Sequence, residues 1–443
     1  MLASPRIPML GFLCVIGCTV LMLAITPSAH AATADWPDFR GPWKNGNAQP
    51  PGSTEPVELP LTWSETENIA WKTAIPHAGL STPVILDGQI WLTTATEDGH
   101  ESFALCIDAA TGETMFFEKL FHNDDPEPLG NQVNTYASPS VLLEPGRAYV
   151  HFGSYGTACL DTQTFEVLWE QRGLPCRHYR GPGSSPYIYD NLLFLHFDGA
   201  DQQYVAALDK HTGEIVWRTD RSTEWTDLDE HGEPVMEGDF RKAFSTPIVI
   251  EAAGRLQLIS LGSSAAFSYD PYTGAEIWRT HNQGHSTSAR PVFAHGLVYT
   301  TTGHRQTHLL AIRPDGEGEL TDAHIEWRVT GREVPQQPSP VLVDDLIYMV
   351  SNEGIASCID ALTGEVIWSE RIGGNFMASP IHAGGRIYVT SMQGTTTVMR
   401  EGRTFEILAQ NQLESGSLAS PAVSGNALFL RTRTHLYRIE SSE

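Results

Sequence analysis

The chain keeps rewriting one ten-residue phrase. Residues 208–217 read LDKHTGEIVW, and the pattern returns as IDAATGETMF at 107–116, YDPYTGAEIW at 269–278 and IDALTGEVIW at 359–368. The Asp side chain can accept hydrogen bonds from turn amides, and the Gly adopts a positive φ at no steric cost. After the turn, Glu and the aromatic residue alternate as on a half-buried strand. The phrase is a turn feeding a strand. Its residues are architectural rather than catalytic: Asp108 and Gly112; Asp161 and Trp169; Asp209, Gly213 and Trp217; Asp270, Gly274 and Trp278; Asp360, Gly364 and Trp368.

Around the phrase a four-stranded unit can be derived. In residues 81–118, STPVIL is an apolar strand, Asp87-Gly88 a hairpin turn, QIWLTTA and SFALCID the next strands, and ETMFF the fourth. A Pro opening the first strand counts the units: Pro83, Pro139, Pro186, Pro247, Pro291, Pro340, Pro380 and Pro421. That period is long for most solenoids and suits a β-propeller of eight blades. The phrase degrades in places: LDTQTFEVLW carries Phe165 for Gly, residues 311–327 carry an insertion, and MREGRTFEIL has lost both Asp and Trp. The eighth unit ends at LYRIE, after its third strand, while TWSETENIAWKTAI at 62–75 is a strand without a blade. A raw sheet edge invites aggregation, so the expected closure pairs this N-terminal strand with the last three. The fold class expected is therefore all-β, an eight-bladed propeller over 62–443, preceded by a Pro/Gly-rich leader at 32–61 that crosses the ring.

Residues 1–31 read as a secretory signal peptide, with Arg6, an apolar core at 9–25 and the small-residue site AHA at 29–31. VIGC at 15–18 resembles a lipobox that would anchor a lipoprotein through Cys18, but apolar residues continue directly after it. No later stretch has the 18 or more apolar residues of a spanning helix, so no transmembrane segment is expected in the mature chain. The net charge of -25 argues against nucleic acid and anionic lipid as partners. Cys106, Cys159 and Cys358 each stand two residues before a repeat Asp, which fits buried core thiols rather than a disulfide framework, with Cys176 alone in a loop.

The LD..TGE..W phrases and the SP strand openers resemble the pyrroloquinoline-quinone (PQQ) type of eight-bladed propeller across about 62–440. The stretches DDPEP, YASPS, YGTACLD, RGPGSSP, QPSP and THLYRIE are similar to those of a group of exported bacterial PQQ-like propellers. The resemblance implies the fold and leaves function open between quinoprotein alcohol or glucose dehydrogenases and BamB-like assembly proteins, which bind partners and hold no cofactor. The dehydrogenases carry a vicinal Cys–Cys pair, and this chain has no adjacent cysteines; it also lacks a C-x-x-C-H haem site. Their Ca²⁺ ligands and catalytic Asp find no residue-by-residue match. The expectation is a non-catalytic binding or scaffolding module of the periplasm or cell envelope, a monomer without cofactor. A quinoprotein-like oxidoreductase using PQQ with Ca²⁺ is the alternative.

Other catalytic signatures are missing: no G-x-S-x-G, P-loop or H-E-x-x-H occurs. His281 with His285, and His304 with His308, are spaced by four, but in loop or hairpin context that spacing does not align them as metal ligands. NDDPEP at 123–128 reads as a solvated acidic loop. The long excursions 119–136 and 219–244 join a fourth strand to the next first strand, so they emerge on one face. The residues before each Pro marker are expected to rim that mouth: His77, Asn134, Tyr136, His178, Tyr179, Arg180, Arg241, Lys242, His285, Arg290, Gln336, Gln337, Asn375 and Phe376. The cations among them suit an anionic or glycan ligand or an envelope protein. Alternatively they pair with the acids of DDPEP and DLDEH and lock the face shut.

Overall fold

A computed structural model describes residues 1–2, 35–50, 52, 55–130 and 133–441. Residues 1–33 form a unit of their own, in which the expected signal segment and Cys18 lie outside the described residues. The second unit, from residue 34 onward, is an eight-bladed β-propeller of antiparallel four-stranded blades. Seven blades run through their strands in chain order, as in Val84–Leu86, Gln89–Ala95, Glu101–Asp108 and Thr114–His122. The eighth takes its outer strand from the other end of the propeller. Ile69–Ala74 pairs antiparallel with His435–Ile439, with Thr73 opposite Leu436, and Ala427–Arg431 and Ala422–Ser424 complete the sheet. No helix of the described residues is long and apolar enough to cross a membrane.

The repeated phrase turns out to join blades. Asp108 Oδ1 accepts the N–H groups of Ala110 and Thr111 at 3.0 and 2.7 Å, and Asp209, Asp270 and Asp360 organise their turns alike. The Gly of that turn then lies against the Trp of the preceding blade. Gly213 sits at φ +75°, where an added Cβ would be 2.5 Å from the Trp169 ring, and Gly274 meets Trp217 in the same way. Each ring nitrogen donates across the seam: Trp169 to Lys210 O at 3.0 Å and Trp217 to Pro271 O at 3.0 Å. Trp71 of the closing strand docks on Gly112 and donates to Ala109 O at 3.2 Å, so the seam between the last blade and the first is built like those of Trp169 and Trp217.

Degraded copies are compensated by their neighbours. Phe165 stands where Gly would be, and the preceding blade offers Phe116 in place of Trp; their rings stack at 5.0 Å. Trp278 faces the turn that carries the insertion. Gly318–Glu319 of that insertion adds a parallel fifth strand to its blade, and Trp278 donates within its own blade to Gln257 at 2.7 Å.

The Pro markers precede their strands directly at seven blades. In the second blade Val141 holds that place and Pro139 lies two residues earlier, a correction to the register expected there. The residue just before the marker position faces the channel. Six backbone N–H bonds link these eight residues in two runs of four: Thr82 N–H donates to Ser140 Oγ, Ser140 to Ser185, and Ser185 to Thr246, while Arg290 donates to Ser339, Ser339 to Ser379, and Ser379 to Ser420, at 2.9 or 3.0 Å. Cys106, Cys159, Cys176 and Cys358 are all buried free thiols. Burial raises the thiols of Cys106 and Cys358 to about 12.

Candidate functional site: the channel mouth

The leader enters the channel and divides it. Trp36 exchanges two backbone bonds of 2.8 Å with Ile85 of the first blade, and Pro37 O accepts Leu143 N–H of the second. Further along, Gly46 and Ala48 bond to His382 of the seventh blade, so the segment spans the ring. Between these anchors Asp38 accepts both terminal nitrogens of Arg290, at 2.7 and 3.3 Å, and Arg40 donates to Pro380 O and Pro340 O at 2.7 and 3.2 Å. Both arginines are 1% exposed. Burial, with Arg290 nearby, lowers the Arg40 guanidinium to about 9. Phe39 points the other way and floors a cavity of about 360 Å³ at the channel mouth.

A short ionic network makes one wall of that cavity. Asp239, on the long excursion 219–244, accepts from Arg180 Nε at 3.2 Å and from the Lys242 ammonium. Burial pulls the Asp239 carboxyl upward, but the two cations outweigh it and hold it below the ordinary value. Lys242 shows 1% of its side chain to solvent, and its ammonium lies 5.0 Å from the Tyr179 ring centroid and 5.7 Å from that of Phe244. Burial lowers its pKa, and Asp239 opposes that shift. Two histidines also line it: His285, on the connection entering the fifth blade, and His304, between two strands of that blade, with ring centroids 5.8 Å apart and backbones bridged. Burial, with a smaller contribution from His304, lowers His285 to about 4; burial lowers His304 as well. Gln337 donates to His304 Nε2 at 2.7 Å and is itself held by Asn352.

Of the expected rim, the structure brings Asn134, Arg180, Lys242, His285 and Gln337 to this cavity. Tyr179 lies behind Lys242. The others go elsewhere, for identifiable reasons. His77 stacks on Phe103 at 4.7 Å, outside the cavity. Tyr136 is buried and donates to Glu127 O at 2.6 Å, while His178 is buried and accepts the Ser154 N–H at 2.9 Å. Arg241 turns to Asp227 of the DLDEH stretch at 2.5 Å, a contact that locks this loop in place. Arg290 points into the channel and meets the leader. Gln336 lines a separate hollow with Asn352 and Glu353. Asn375 is exposed with its N–H on Gln393, and Phe376 is buried. NDDPEP is only partly a solvated loop, because Glu127 binds Arg177 at 3.0 Å and the Tyr179 N–H at 3.1 Å.

Phe39, Asp239 and the hydroxyl ring are not among the rim residues expected from the sequence, where His304 enters only beside His308 as a metal-ligand candidate. Asp239 lies three residues before Lys242, a spacing visible in the sequence; the leader's Phe39 carries no periodic pattern that would place it.

A Ca²⁺-bound quinone can be tested against these residues. Among the described residues Asp239 is the one carboxylate lining the cavity, and it is already engaged by two cations, a donor set that does not fit Ca²⁺. Among the described residues, no three His, Cys, Asp or Glu side chains converge as metal ligands.

Comparison with known proteins gives the lineage. The family described as outer membrane protein assembly factor BamB matches residues 138–256 and 201–443. The BamB of Yersinia pestis is 21% identical over 266 residues, covering 49% of this chain and 64% of that protein. The chain spans between half and two thirds of the length of the first BamB proteins it matches. The dehydrogenase subunit of a quinone alcohol dehydrogenase from Gluconacetobacter polyoxogenes is 28% identical over 153 residues, 31% of this chain and 19% of that one. The crystal structure of quinohemoprotein alcohol dehydrogenase from Comamonas testosteroni superposes with a TM-score of 0.66 at 13% identity, covering 93% of this chain and 82% of that one. Blade number, ring closure and the family match agree, and the chain belongs to the PQQ-like β-propeller family described as outer membrane protein assembly factor BamB.

Proposed function

We propose that the chain is a non-catalytic binding module of the cell envelope, and that its contact site is the channel mouth. The observation that carries this reading is the construction of the mouth. A cavity of about 360 Å³ is floored by Phe39 of the leader and walled by side chains that already hold one another in place. Such a preformed concave site with a few placed polar groups is a receptor. Asn134, Arg180, Lys242, His285 and Gln337 are the groups it presents. The family description supports an exported protein with an envelope protein as partner, and the cations support an anionic or glycan ligand.

The quinoprotein alternative draws on the 28% identity to the quinone alcohol dehydrogenase subunit. One titration separates the two. Purified protein is titrated with PQQ, with and without Ca²⁺, while tryptophan fluorescence is followed. A flat response is expected; saturable, Ca²⁺-dependent quenching at micromolar PQQ would overturn the binding-module reading.

A further inference from the structure

We infer that the channel mouth takes a small amphipathic monocarboxylate, its headgroup held between Arg180 and Lys242 and its apolar body laid over Phe39. The inference rests on the mouth being a binding site and names the ligand's chemistry.

The charges come first. Among the described residues the lining holds two basic side chains, Arg180 and Lys242, against one carboxylate, Asp239, which leaves one positive charge over. His285 and His304 add none near neutral pH, because burial keeps both rings in the neutral form. An unbalanced charge against apolar walls is costly, and a single negative charge balances it.

The donors agree with the charge. An ammonium has three N–H groups and a guanidinium five. Lys242 directs one to Asp239, while Arg180 engages Asp239 through Nε and Gly130 O through Nη1. Both retain N–H groups, and both meet at one carboxylate, so the two heads lie close enough to share a second. Below them, Ser140, Ser185, Thr246, Ser379 and Ser420 each accept a neighbour's backbone N–H. Their hydroxyl hydrogens remain to donate to a ligand oxygen.

The remaining surface selects the body. Phe39 forms the floor, and Leu80, Phe244, Met377 and Leu418 stand around it. Inorganic phosphate or sulfate would leave these walls wet, whereas a carboxylate on an alkyl or aryl body covers them. The floor is closed by the leader, which limits the ligand's length and favours a small molecule over a polymer threading the ring.

The test is calorimetric titration of the purified full-length protein with four probes at fixed ionic strength: hexanoate, benzoate, uncharged hexanamide and sulfate. Hexanoate or benzoate should bind at least tenfold more tightly than hexanamide and sulfate. Arg180→Gln should weaken carboxylate binding at least tenfold, whereas Arg400→Gln, on an exposed outer ion pair with Glu406, should leave it unchanged. Met377→Trp fills the cavity without touching the ionic network and should also abolish binding, which keeps the test decisive if the Arg180 variant fails to fold. Equal affinity for hexanoate and hexanamide would overturn the inference in favour of a merely apolar ligand. Sulfate binding as tightly as hexanoate would overturn it in favour of a simple anion site. No heat with any probe, beside a flat PQQ titration, would sink the ligand class and leave the binding-module reading standing; a Ca²⁺-dependent PQQ response would sink that reading itself.

Discussion

At the scale of single residues, Gly213 shows why the repeated phrase keeps its glycine. Two separate demands meet there, a left-handed backbone at φ +75° and an indole ring where a Cβ would go. Gly88 has only the first, at φ +77° with open space around it. The pair therefore separates backbone strain from seam packing. Gly88→Ala should cost about 1–2 kcal/mol, the price of the left-handed conformation for a residue with a Cβ. Gly213→Ala adds overpacking against Trp169 and should cost about 2–4 kcal/mol in total, read as a shift of the urea midpoint at constant slope. The Phe116–Phe165 contact makes the same point from the other side: at that seam glycine and the facing Trp are both replaced, and two Phe rings stack instead.

At the scale of elements, the leader does more than pass over the ring. Asp38 is the carboxylate facing buried Arg290, and removing one partner of a buried pair leaves the other charge without compensation. Asp38→Ala should lower unfolding free energy by about 3–5 kcal/mol in denaturant titrations, well above the cost of an ordinary surface change. This element also marks where the sequence stops being legible. Blades could be read because each is local: Asp108, Gly112 and the strands around them lie within about 40 residues, and alternation and turn chemistry act at that range. The closing strand could be inferred from a count, one strand too few at the end and one too many at the start. Arg290 and Phe39 could not be placed, because their positions depend on a contact 252 residues apart with no pattern to announce it. The mouth was half legible for the same reason. Arg180, Lys242 and His285 follow from blade geometry, whereas His77 and Tyr136 depend on how each loop folds back on its own blade.

At the scale of the whole molecule, the propeller holds several histidines neutral inside it. Burial pushes His151 down to about 3, with a smaller contribution from His178, and His178 to about 4; burial and Arg221 hold His196 well below its ordinary value. Their stabilising effect is complete above the unfolded-state value near 6.5 and is lost as pH falls toward the native values, because only the unfolded chain then takes up protons. Each such group removes up to about 1.4 kcal/mol per pH unit, so stability at pH 5 should be several kcal/mol below that at pH 7. Denaturant midpoints at the two pH values check this, and an unchanged midpoint would mean the rings are protonated in the native state. The same ring has a history as well as a stability. A ribosome makes Ile69–Ala74 before all the other blade strands and its partner His435–Ile439 after them. Through nearly the whole of synthesis the growing arc carries two open ends, and neither can be satisfied by anything already made. Closure is thus a single late event that joins the oldest strand to the youngest, and the interval before it is when an escort for the unfinished chain would matter most.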